Sequence, residues 1–151
     1  MPNTATNFHG VAVVLGDRGV LIAGPSGSGK TGLGLALIAH VRSQAWFARL
    51  VADDQVFLEA RNGKLVCAAP AAIAGLAEIR GIGPRPMAFE PKACIDLLVR
   101  LAVGRGQAPR FQEAETEVLE SCATPCLTLS GDDRQAALFA VASYLSLPPF
   151  A

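Results

Sequence analysis

Eight consecutive residues, Gly24, Pro25, Ser26, Gly27, Ser28, Gly29, Lys30 and Thr31, meet the pattern G-x-x-x-x-G-K-[ST] at every required position. The pattern suits one chemistry, the holding of a nucleoside triphosphate. Glycines let successive backbone N–H groups turn inward around phosphate oxygens. The helix that follows adds the positive end of its dipole. Lys30 reaches the β- and γ-phosphates as a point charge, and the Thr31 hydroxyl is placed to ligate magnesium. The loop lies between a β-rich run and an apolar-periodic helix, the context this mechanism needs.

Phosphoryl transfer also needs acids near the γ-phosphate, and Asp53 and Asp54 follow Lys30 by 23 and 24 residues at the end of an apolar strand. In α/β sheets ligands sit at the carboxyl ends of strands. Adjacent carboxylates point in different directions, so one can work through the metal shell while the other accepts a proton from an acceptor hydroxyl. The plainer reading is a turn or helix-capping pair.

The elements that must position these groups are legible along the chain. Residues 10–15 and 20–23 read as strands joined by a turn at 16–19. So short a connection makes the pair antiparallel, because a parallel crossover needs a dozen or more residues. Lys30 to about Val41 is predicted helical, with Leu33, Leu35, Ala36 and Ile38 as its apolar stripe. Residues 49–52 form a short buried strand, and 55–60 with 64–67 a hairpin around Asn62-Gly63. Pro70 opens a short helix as its first residue, running to about Glu78. Residues 95–101 read as a strand, although a helix also fits; 116–119 and 126–129 are further strands. Asp132 or Asp133 caps a last helix that buries Ala137, Leu138, Val141 and Leu145. The fold class is α/β with a mixed sheet, and residues 1–151 form a single domain.

Composition narrows the function. The chain has 151 residues, half of them apolar, enough for a core without disulfide or metal staples. Lys plus Arg and Asp plus Glu each total 13, a balance that gives no electrostatic footprint for nucleic acid or an anionic membrane. The apolar stretch 65–77 is too short to span a bilayer and is broken by Pro70 and Gly75. Cys67, Cys94, Cys122 and Cys126 lack the paired spacing of a zinc site and read as core thiols. Nothing at the start resembles a signal peptide, so a cytoplasmic protein is expected.

Three segments together resemble the HPr kinase/phosphorylase catalytic domain: the loop 24–31, LVADDQV at 50–56 and AEIRGIG at 77–83. The third is the specific one, and His9-Gly10 fits the His-Gly that opens that domain. The resemblance implies a phosphoenolpyruvate-carboxykinase-like fold. It also implies ATP and Mg2+ as cofactors, and a serine of the phosphocarrier protein HPr as acceptor, with phosphorolysis as the reverse reaction. Carried over by position, Lys30 grips phosphates, Thr31 and Glu78 serve the metal, and Asp54 is the base with Asp53 beside it. His9 lies near the reacting phosphates, Arg80 pairs a phosphate or a neighbouring carboxylate, and Arg110 matches a later catalytic arginine. An assembly of identical chains is expected.

The chain departs from the family in three ways. His9 stands almost at the start, where a regulatory domain would precede it. The segment 84–91 is short where relatives extend a mobile loop. Residues 129–134 (LSGDDR) do not reproduce an arginine-glycine-rich stretch linked to dephosphorylation. These departures favour kinase over phosphorylase activity. They also keep two other functions in view: a kinase for a different hydroxyl, and an ATP sensor without transfer.

Overall fold

A computed structural model describes residues 5–151 of the chain. Its strands are β1 (Thr6–His9), β2 (Val11–Leu15), β3 (Arg18–Ala23), β4 (Ala48–Ala52), β5 (Gln55–Arg61), β6 (Lys64–Ala68), β7 (Leu76–Ile79), β8 (Gly83–Pro86), β9 (Lys92–Ala102), β10 (Glu115–Leu119) and β11 (Cys122–Ser130). Its helices are α1 (Lys30–Ser43) and α2 (Arg134–Tyr144). The main sheet runs β1-β5-β6-β9-β3-β2-β4, with β11 beside β9 and β10 beside β11; β7 and β8 form a separate hairpin.

The sheet is mixed. β2 is antiparallel to both β3 and β4, and β9 is parallel to both β3 and β11. Within the run β4-β2-β3-β9-β11 four strands therefore run the same way, β4, β3, β9 and β11, and their carboxyl ends share one edge. The antiparallel β2–β3 pair expected from the short turn is present, in register Val13↔Val20. The 55–61/64–68 hairpin is present too, and residues 95–101 belong to a longer strand, β9, that serves both β3 and β11.

β2 is buried along its whole length because both of its faces are covered. Val11, Val13 and Leu15 point toward α1, where they meet Leu33, Leu37, Ile38 and Val41. Ala12 and Val14 point the other way, toward Val56, Leu58 and Leu65 of the β5–β6 arm. The buried stripe of α1 thus differs from the expected one: Leu37 and Val41 take the places given to Leu35 and Ala36, which are only half-buried. α2 adds Ala137, Val141 and Ala142 to the helical side. Of the two aspartates offered as its cap, Asp133 does the work, accepting from the Ala136 N–H at 3.1 Å. Asp132 accepts from the Gly104 N–H instead.

The helix expected over 70–78 is not formed. A single 3-10 turn, Ala71–Ile73, follows Pro70, and the chain then passes through Gly75 at φ 77° into β7. The apolar run there carries no helical stripe because Leu76–Ile79 pairs with Gly83–Pro86, the segment read from sequence as part of a loop. All four cysteines are free, three buried and Cys94 exposed on β9. Burial pushes the Cys67 thiol up to about 12, so it stays protonated in the core. Among the described residues no helix is long and apolar enough to cross a membrane.

One ion pair clips β9 to β10 across β11: Arg100 Nε donates to Glu117 Oε1 at 2.8 Å, and Nη2 donates to the second carboxylate oxygen. That side-chain hydrogen bond holds the Glu117 carboxyl below its ordinary value. A depressed folded-state pKa contributes stability above the unfolded value, about 4.3 for glutamate, and loses it as pH falls through the folded value. Glu117→Gln is therefore expected to be less stable than the parent near neutrality and to converge with it as pH falls through that range, so that its acid dependence is shallower. An unchanged acid limb in urea titrations would show that the clip carries none of it.

Candidate functional site

The shared edge of the four co-directional strands gathers the residues picked out from sequence. β3 ends at Ala23 and leads into the glycine loop, whereas β4 ends at Ala52 and leads into Asp53 and Asp54. Between them β2 begins, so His9 and Gly10 lie beside both. The Gly10 N–H donates to the Asp54 carbonyl at 3.0 Å.

The loop has the geometry its glycines require. Gly27 and Gly29 adopt φ of 80° and 95°, values that a side chain strains to reach. Gly29 occupies the N-cap of α1, and no side chain caps the helix there, which leaves its first amides for another acceptor. Lys30 is buried, and its ammonium donates to the carbonyls of Gly24 (3.0 Å) and Pro25 (3.2 Å). The Ser28 hydroxyl oxygen is buried without a hydrogen-bond partner.

Asp53 is the hinge of the arrangement. It is 5% exposed, and both of its carboxylate oxygens are used. Oδ1 accepts from the Thr31 hydroxyl at 2.7 Å, and Oδ2 accepts from the Glu78 backbone N–H at 2.7 Å. A strand end, the first turn of α1 and the β7–β8 hairpin are thereby tied to one carboxylate. Asp54 turns the opposite way. It takes φ 75°, a left-handed conformation that aspartate tolerates better than most residues. Its side chain is exposed, and His9 Nε2 donates to its Oδ1 at 2.7 Å. Two adjacent aspartates thus have separate partners and opposite degrees of burial.

These groups border an open cleft of about 760 Å³. Its wall includes His9, the loop from Ser26 to Thr31, Asp54, Glu78 and Arg80, with Val11, Leu35 and Ile79 as an apolar side. Gly24 and Pro25 sit behind it as the acceptors for Lys30, and Asp53 sits beneath it. Arg80 makes no ion pair with a described residue, so of its two expected roles the neutralising one is not in use. Arg110 does not line the cleft; its guanidinium lies 5.5 Å from the Phe111 ring centroid. The loop that carries it borders a different groove of about 710 Å³, lined by Gln107, Phe111, Gln112 and Thr128. The family resemblance had offered Arg110 as a later catalytic arginine, and the long excursion between β9 and β10 carries it elsewhere.

Among the described residues no three His, Cys, Asp or Glu side chains are grouped as a ready metal cage. Thr31, Asp54 and Glu78 border the cleft with side-chain oxygens, and Asp53 is hydrogen-bonded to Thr31. That set is all hard oxygen, which fits magnesium held partly by substrate phosphates and water rather than by protein alone. Two lining residues, Gly131 and Arg134, were not among the expected site residues. The signal that could have found them is topological: they follow β11, which is parallel to β9 and so delivers its carboxyl end to the same edge.

A curled mixed sheet with two helices on one face, carrying a glycine loop at the strand ends, defines an α/β protein. The model for the "HPr Serine kinase C-terminal domain" family matches residues 3–84, and the chain belongs to that family. It is 41% identical over 78 residues to the HPr kinase/phosphorylase of Clostridium tetani, a stretch covering 52% of this chain and 24% of that protein. It is 42% identical over 79 residues to the same-named protein of Lactobacillus delbrueckii subsp. bulgaricus, covering 52% and 23%. In structure it resembles the HPr(Ser) kinase/phosphatase of Coxiella burnetii, with TM-score 0.78 over 93% of this chain and 96% of that one, at 23% identity. That likeness bears out the expected fold beyond residue 84, where sequence similarity fades.

Replacing Asp53 tests the hinge. Asp53→Ala leaves the Glu78 N–H and the Thr31 hydroxyl without their acceptor and is expected to cost about 1–3 kcal/mol. Asp53→Asn can still accept from the Glu78 N–H and should cost less than half as much. Equal losses for the two variants in urea unfolding would remove the two-oxygen role assigned here.

Proposed function

We propose that this chain is an ATP-dependent, magnesium-requiring protein serine kinase whose acceptor is a serine of HPr. Family membership supports the kinase class, and the relatives' names supply the acceptor. The observation that carries the reading is the placing of Asp54, paired with His9, beside a glycine loop whose helix amides are uncapped.

The residues divide the work as follows. Amides of Gly27 to Thr31 receive the β- and γ-phosphates, and Lys30 exchanges its loop carbonyls for phosphate oxygens. Thr31 and Glu78, with the Asp53 carboxylate beside Thr31, would hold magnesium, which would supply charge neutralisation to the phosphates. Asp54 accepts the proton of the serine hydroxyl as its oxygen bonds to the γ-phosphorus and the bridge to the β-phosphate breaks, releasing ADP. His9 holds the Asp54 carboxylate in place for that transfer. Arg80 stands at the cleft wall, free for a phosphate oxygen. In the phosphorolytic direction inorganic phosphate would attack the phosphoserine phosphorus to give pyrophosphate, and the protonated Asp54 would return its proton to the departing serine oxygen. We place the protein in the cytoplasm and read residues 1–151 as one catalytic unit that assembles with copies of itself.

Incubation with labelled ATP, magnesium and HPr should transfer phosphate to a serine. Lys30→Ala is expected to weaken nucleotide binding broadly. Asp54→Asn should keep the left-handed turn, bind ATP nearly as the parent does, and lose roughly 10²–10⁴-fold in transfer rate. Transfer by Asp54→Asn at the parent rate would remove the base from the scheme. ATP binding by the parent without transfer to any hydroxyl would replace the kinase with a nucleotide sensor.

A further inference from the structure

The strand order fixes which groups lie on each side of the glycine loop. Across the shared edge the sequence is β4, β2, β3, β9, β11. The acids follow β4 and His9 precedes β2, so the whole reactive group lies on one side of β3. On the other side β11 ends at Ser130 and passes through Gly131 into α2, whose first residue is Arg134.

Arg134 extends from there to the first turn of α1. A Cβ built on Gly32 would meet the Arg134 guanidinium carbon at 2.7 Å and its Nε at 3.1 Å. The guanidinium therefore lies directly over the Gly32 backbone, in space that only a glycine leaves open. Gly131 closes the same side: its N–H donates to the Ala102 carbonyl at 2.8 Å, and a Cβ there would strike the Ser28 carbonyl. Arg134 is exposed, lines the cleft, and makes no ion pair or hydrogen bond with a described residue. A cation has thus been brought to the uncapped end of a helix, opposite the acids. Like charges gain nothing from that position, since the helix end is itself positive. An anion bound between them would satisfy both.

We propose that Arg134, seated over Gly32, binds the nucleotide on its nucleoside side, with its guanidinium on α- and β-phosphate oxygens. This rests on the kinase reading above and adds a binding residue to it. The γ-phosphate belongs beside Asp54, on the far flank of the loop, so Arg134 makes the same contact with ATP and with ADP. Arg134 is then an affinity residue, and it retains ADP as firmly as it holds ATP.

Calorimetric titration with ADP and with ATP in magnesium tests this without a kinase assay. Arg134→Gln should raise the Kd for both nucleotides by the same factor, about tenfold or more for a lost charge-assisted contact, and Arg134→Lys should recover part of it. Gly32→Ala should do likewise by displacing the guanidinium, and it favours the helix rather than weakening it. Adding Gly32→Ala to Arg134→Gln should bring little further loss, because both act on one contact. Lys30→Ala serves as the control for the loop. If Lys30→Ala loses nucleotide while Arg134→Gln and Gly32→Ala bind within twofold of the parent, the Arg134 assignment is overturned and the kinase reading stands. A loss confined to ATP would move Arg134 to the γ-phosphate and overturn it too. Absence of nucleotide binding by the parent would overturn both readings.

Discussion

A single buried carboxylate holds the site together. Asp53 sits at the end of β4, yet its two oxygens belong to other elements, one to the Thr31 hydroxyl on α1 and one to the Glu78 N–H on β7. A carboxylate removed from water must find donors or lose several kcal/mol of solvation. Here the donors are groups that would otherwise lie at unrelated places on the surface. The requirement to satisfy Asp53 therefore fixes where the helix begins, where the small hairpin docks and which way Asp54 must face. With Asp53 committed inward, its neighbour is left to face the cleft.

The sheet makes that commitment possible. β2 is antiparallel to both of its neighbours, so the loop strand β3 and the acid strand β4 end at one edge with the start of β2 between them. His9 reaches Asp54 because of this inversion; in a wholly parallel sheet the chain would enter β2 at the opposite edge. The same logic operates on the other side, where β9 and β11 run with β3 and bring α2 to the loop. Close packing keeps the distances short: a Cβ on Gly34 would come within 2.9 Å of Val11. The helix that presents the loop amides thus lies directly on the strand that follows His9.

Much of this was legible in the sequence, and the reasons are local. Tight turns such as Asn62-Gly63 announce hairpins, and the loop pattern announces itself. The Asp53-Asp54 pair was found because an apolar strand stops there; their position alone left the division of labour open, and the family resemblance gave Asp54 the role of base. Burial distinguishes the two, 5% exposure for Asp53 against an exposed Asp54, and burial depends on what packs above a residue rather than on its neighbours in the chain. The helix expected after Pro70 was a different failure. Ala71 to Ala77 is rich in helix-favouring alanine, and it is hairpin pairing with the 83–86 segment, just across the turn at 80–82, that makes Leu76–Ile79 a strand. Arg110 and Arg134 show the same limit from two sides. The family resemblance promoted the first, which lies outside the cleft, and local pattern passed over the second, because parallel pairing of β9 with β11 leaves no mark within either strand.

The account stands on one convergence: the loop amides and the acids must surround the same triphosphate. Backbone amide NMR of the protein titrated with magnesium ATP measures this most directly. The account predicts that Gly27, Gly29, Lys30, Thr31, Asp54 and Glu78 shift together along one saturation curve, while Gln112 and Thr128 in the second groove stay still. Shifts of the loop without the acids, or shifts centred on the second groove, would contradict it.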